Sequence, residues 1–159
     1  MTLGDLREEI AIQSEAIEQT LRELALLQQD VAGREPTTRE LAAAGLFLAN
    51  FYNGIENILK RICRYHAVEV PPGAEWHVGL VKAVCVPMQG GLPALFDEPL
   101  AQELAPYRSF RHVVHHGYGF QLRWNDMLPG IEGAFRVWSA FKEAFQSHLA
   151  RLGPDAESG

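Results

Sequence analysis

An all-α fold is what this chain predicts, an antiparallel helical bundle of four long helices plus one or two short ones. Three observations lead there. Apolar residues recur at steps of three and four over long segments, the spacing that puts them on one face of a helix. Capping residues, prolines and glycines stand at the ends of those segments. No stretch alternates apolar and polar residues as a half-buried strand would, and no internal repeat is evident.

The first helix is expected over 3–31, where Leu3, Leu6, Ile10, Ile17, Leu21, Leu24, Leu27 and Val31 form the stripe. Gly33 and Pro36 end it. Thr37 and Glu40 have capping-box spacing and open a second helix over 38–66. Its stripe is Leu41, Ala44, Leu48, Phe51, Ile55, Ile58 and Ile62. Ala42, Ala43, Ala44 and Gly45 are small enough for a neighbouring helix to come close. Lys60, Arg61 and Arg64 close it with positive charge, which suits the helix dipole and offers a track for an anion. Prolines and glycines crowd residues 67–99, which read as a long connection holding one short helix at 75–86. A helical turn or two follows at 98–105. The third long helix runs from about 106 to 118, with Pro106 at a first-turn or kink position. Residues 120–128, including Trp124 and Asp126, are expected as loop. The last helix spans 129–152, with Ile131, Phe135, Trp138, Phe141, Phe145 and Leu149 as its core stripe. Residues 1–152 therefore read as one domain and 153–159 as a frayed, disordered tail.

The composition limits the function classes. The chain has 159 residues, 47% apolar and 21% charged, a globular profile. A net charge of −6 argues against broad binding to nucleic acid, though it permits a local basic site. No run is apolar enough to span a membrane, and no basic-then-apolar secretory signal opens the chain. Cys63 and Cys85 lack CxxC spacing, which fits a reducing cytoplasm rather than a disulfide scaffold.

Chemistry concentrates in Arg111-His112-Val113-Val114-His115-His116-Gly117-Tyr118. On a helix of about 100° per residue with Arg111 at zero, Tyr118 lies at about −20°, His115 at 40°, His112 at 100° and His116 at 140°. Tyr107, Phe110, Val113 and Val114 fall on the other side, the expected core face. A permanent cation that grips phosphate, beside rings that titrate near neutral pH, is what acid/base chemistry on a phosphodiester requires. The bland alternative is a surface helix with some histidines. A metal reading rests on the i,i+4 pair His112 and His116, but 106–118 holds no Asp, Glu or Cys to complete it. Help from Glu56, Cys63 or His66 would be needed, so no metal and no cofactor are expected.

Arg-x4-His-x-Tyr (Arg111, His116, Tyr118) in the penultimate long helix of a small all-α chain resembles the HEPN superfamily, and more closely its HepT-like toxins. His112 stands where that superfamily often has a polar residue after the arginine. Phe51 to Arg61 resembles the second helix of HepT-like domains. The likeness covers roughly residues 5–150. It implies a HEPN-like bundle and a metal-independent endoribonuclease working as a homodimer, the toxin of a type II/VII-like toxin–antitoxin pair. It further implies a minimal nucleotidyltransferase antitoxin able to adenylylate Tyr118. In that reading Arg111 and His116 are catalytic, His112 and His115 assist or bind RNA, and cleavage proceeds by 2′-hydroxyl attack to a 2′,3′-cyclic phosphate. The long 67–99 connection departs from the compact family pattern. The competing class is a non-catalytic dimerisation or interaction module of the same fold.

Overall fold

A computed structural model describes residues 1–69, 95, 97–118 and 121–154. It contains four α-helices in these residues: α1 (Leu3–Asp30), α2 (Thr38–Tyr65), α3 (Glu98–His116) and α4 (Trp124–Arg151). No strand occurs among them. The short helix expected at 75–86 lies outside the described residues.

The starts of α1 and α2 are chemically specified. Thr2 and Asp5 form a capping box at α1, which the sequence reading overlooked. Thr37 and Glu40 form the expected one at α2, with Glu40 N–H donating to Thr37 Oγ1 at 3.2 Å and Thr37 N–H to Glu40 Oε1 at 2.9 Å. Each box satisfies two backbone donors that the helix leaves over. Gly33 takes φ +78°, where a side chain would be strained, and turns the chain toward α2.

Helix α2 is the centre of the bundle and contacts each of the other three. Its pairings give the directions. Ile17 packs on Gly54, Gln13 meets Asn57 and Glu9 binds Arg61, so α1 runs antiparallel to α2. Gly45 lies against Val114 and Phe51 against Tyr107, so α3 is antiparallel too. Leu48 lies near Gly130 and His66 meets His148, so α4 runs parallel to α2. The expected stripes of α1 and α2 form the core, with Leu3 and Leu41 half-buried at its ends. Each fully buried Leu, Ile or Phe contributes about 1.5–3 kcal/mol of transfer free energy.

Two expectations for the last helix are corrected. It begins at Trp124, not 129, so Trp124 and Asp126 are helical rather than loop. Trp124 packs partly on the core, Met127 is buried and Ile131 continues the spacing. Pro129 removes one helical hydrogen bond, to the Asn125 carbonyl, on an exposed side of the helix. The second correction is Phe135, placed in the core by its spacing but 69% exposed. Trp138, Phe141 and Phe145 are buried as expected and stack on one another. Arg7 of α1 donates to the carbonyls of Leu149 and Gly153 and ties down the end of α4.

Candidate functional site

Helix α3 carries the candidate residues and is set by local chemistry at both ends. Asp97 caps it, accepting from Leu100 N–H at 3.0 Å, and Pro99 sits in the first turn, where a missing N–H costs nothing. The helix runs unbroken through Pro106 to His116, joining the two pieces expected from sequence. At the far end Gly117 N–H donates to the Val113 carbonyl at 2.8 Å. His115 and His116 occupy the last turn.

The core face of α3 differs from the expected one. Leu100, Leu104 and Tyr107 are buried, at steps of four and three. The next step of four is Arg111. Val113, expected inside, is 50% exposed, and Phe110 is only half-buried. Arg111 therefore does not share a solvent face with the histidines. It sits where the buried stripe meets the α2 interface, its side chain 23% exposed.

What meets it there is Glu56 of α2. The Arg111 Nη1 to Glu56 Oε2 distance is 3.5 Å, and the Glu56 side chain is only 3% exposed. A buried carboxylate costs several kcal/mol of desolvation unless a cation and hydrogen bonds compensate it. Tyr52, four residues earlier on the same face, is buried and its hydroxyl interacts with this carboxylate. Burial, and then the Glu56 charge, hold the phenol proton on well above the ordinary tyrosine range, while Arg108 and Arg111 oppose that effect. Arg108, one turn before Arg111, forms no ion pair or hydrogen bond among the described residues. Two arginines thus face one acid and one buried phenol.

The histidines face outward. The rings of His112 and His116 lie 4.4 Å apart between centroids, and His112, His115 and His116 are all exposed. Tyr118 is 68% exposed just past the helix end, its backbone N–H donating to Gln121 Oε1 at 3.1 Å. The structure thus joins His112 to His116 and Arg111 to Glu56. Helix geometry sets Arg111 and His116 about 140° apart around one axis. Sequence reasoning weighed Glu56 only as a metal ligand and missed its pairing with Arg111, together with Tyr52 and Arg108 beside it. The available signal was weak: Glu56 directly follows Ile55 of the apolar stripe, and it is the one buried acidic residue among those described.

The metal alternative gains no ligand set. Among the described residues no three His, Cys, Asp or Glu side chains gather. Glu56 faces Arg111, and burial pushes the Cys63 thiol up to about 11. His66 meets His148, Nε2 to Nε2, at 2.8 Å. In the basic cluster on α2, Arg61 is engaged by Glu9 at 3.0 Å and by the Asn57 carbonyl, so it serves the α1–α2 contact.

A protein-family model described as HepT-like protein matches residues 43–152, which covers α3, α4 and most of α2. No curated protein and no solved structure matches the chain.

Proposed function

The chain belongs to the HepT-like protein family of the HEPN superfamily, and from that premise we propose that it is a metal-independent endoribonuclease, the toxin of a toxin–antitoxin pair. The observation that carries the reading is the end of α3, where an anchored arginine is followed within five residues by an exposed pair of histidine rings. RNA brings its own nucleophile. A base removes the 2′-hydroxyl proton, the oxygen attacks phosphorus, and the 5′-oxygen leaves with a proton from an acid. His116 serves as base or acid, because an imidazole ring can both accept and donate a proton. Arg111 stabilises the negative charge that builds on the phosphoryl oxygens. His112, in contact with His116, orients its ring, and His115 binds the RNA backbone.

A single α3 presents Arg111 and His116 in directions too far apart to grip one phosphate unaided. A two-fold partner supplies the complementary set, which is why activity requires a homodimer. Tyr118 is exposed enough for a nucleotidyltransferase antitoxin to adenylylate it. The added phosphate would occupy the cationic end of α3 and exclude substrate. Such a pair acts in the cytoplasm.

The purified chain is expected to cleave RNA in EDTA, to leave 2′,3′-cyclic phosphate ends, and to spare DNA. His116→Ala and Arg111→Ala should each abolish cleavage, and full activity in either removes that residue from the site. One observation favours a second reading, a non-catalytic interaction module: Arg111 already has an internal partner in Glu56. Expression that is harmless without any antitoxin would support the module. Growth arrest relieved by Arg111→Ala would support the toxin.

A further inference from the structure

We infer that Glu56 is a positioning residue for Arg111, fixing its guanidinium in the α2–α3 interface so that the exposed edge meets the substrate phosphate. The inference deepens the ribonuclease reading and, for its catalytic consequence, rests on it.

The placement of Glu56 is hard to explain by stability. Its neighbours Ile55, Ile58, Leu59 and Ile62 are all fully buried, and an apolar residue at 56 would extend the same core. Replacing a buried ion pair by well-packed apolar groups is often neutral or stabilising. What an apolar residue cannot do is hold a guanidinium. Arg111 continues the buried stripe Leu100, Leu104, Tyr107, so without a counter-charge its head would leave the interface for water. With Glu56 at 3.5 Å from Nη1, the head stays at the boundary, 23% exposed, and its Nε is sealed from solvent. A guanidinium has five N–H donors in a rigid fork, so fixing one edge aims the others. Tyr52 is buried beside the carboxylate with its phenol protonated, so it adds no second negative charge for the arginines to answer.

Charge and position make opposite forecasts for Glu56→Gln. If Glu56 acted only as a nearby negative charge, removing it would strengthen the attraction of Arg108 and Arg111 for RNA and raise activity. If it positions Arg111, KM for a short RNA should stay level or fall, while kcat drops roughly 10- to 100-fold, the scale of a misplaced catalytic group. Glu56→Asp, which keeps the charge, should recover part of kcat. Arg111→Ala combined with Glu56→Gln should be no worse than Arg111→Ala alone.

The decisive measurement pairs these kinetics with the side-chain Nε–H resonance of Arg111, assigned by its loss in Arg111→Lys. The wild-type signal should be dispersed and slow to exchange, and Glu56→Gln should collapse it toward the solvated-arginine position. Wild-type kcat in Glu56→Gln, or an unmoved Arg111 resonance, overturns the inference while leaving the ribonuclease reading intact. A wild-type chain that cleaves no RNA sinks that reading instead, and the resonance alone then decides whether Glu56 holds Arg111. If Glu56→Gln does not fold, Glu56→Asp supplies the same two readouts, with a smaller fall in kcat and a shifted resonance expected.

Discussion

The Tyr107 hydroxyl donates a 2.7 Å hydrogen bond to the Gly130 carbonyl, while its ring meets Phe51 edge-on at 5.2 Å between centroids. One side chain thereby ties α3 to both α2 and α4, a single turn before Arg111. Burial pushes the phenol up to about 12, so the bond persists across the accessible pH range.

Tyr107→Phe keeps the ring contact and removes the bond, leaving a carbonyl with one acceptor site fewer filled. The expected cost is about 1 kcal/mol in urea unfolding. Tyr107→Ala also empties a buried ring and should cost about 3–5 kcal/mol, as for other large-to-small core changes. RNA cleavage should survive the first and decline with the second. Equal losses of stability would mean that the hydrogen bond, not the ring, carries the site.

Helix α3 also comes close to α2 at Gly45. A Cβ there would stand 2.5 Å from Leu122 Cδ1 and 3.3 Å from Val114 Cγ2. Gly45→Val should therefore lower stability by about 1–3 kcal/mol through overpacking, despite a better helix propensity than glycine. Leu122→Ala in the same chain should recover part of that loss. A double-mutant cycle with no coupling would mean that the clash is relieved elsewhere.

The approach at Gly45 was legible from its run of small residues, and so were α1 and α2, because their stripes are long and uninterrupted. Helix α3 was harder. Its buried stripe passes through an arginine, so a reading that sorts apolar from polar residues placed Arg111 outside with the histidines and Val113 inside. The partner that allows a charge on that stripe is Glu56, 55 residues away in sequence, and spacing along one helix says nothing about a second. The residue types of the site could be read from the chain, but the pairing of Arg111 with Glu56 needed the packing of α2 on α3. The start of α4 failed for a smaller reason. Pro129 fits the first turn of a helix, which points to a start at 129, whereas Trp124, Met127 and Ile131 already carry the helical spacing.

Phe135 and Phe141 test how far spacing alone decides burial. Phe141 is fully buried among Trp138 and Phe145, whereas Phe135 is 69% exposed. Phe141→Ala should cost about 3–5 kcal/mol. Phe135→Ala should change protomer stability by no more than about 0.5 kcal/mol, as for other surface positions. Thermal unfolding of both variants at low concentration checks this. A large loss from Phe135→Ala would mean that the residue is covered in solution.

His148 makes stability depend on pH. It is 2% exposed, its Nε2 lies 2.8 Å from His66 Nε2, and its Nδ1 has no hydrogen-bond partner among the described residues. Burial first, then the proximity of His66 and Arg151, lowers its pKa from 6.5 to about 4. The folded state thus resists a proton that the unfolded chain accepts. Stability from this group is complete above about pH 6.5, falls as pH drops toward 4, and levels off below. The drop across that window is roughly 3 kcal/mol at most, since two and a half pKa units correspond to about that much. Urea unfolding at pH 7.5, 6 and 5 should show the decline, and His148→Gln, which cannot titrate, should flatten it. A wild-type chain equally stable at pH 7.5 and 5 would mean that His148 takes up its proton without unfolding the bundle, with His66 turned away to admit it.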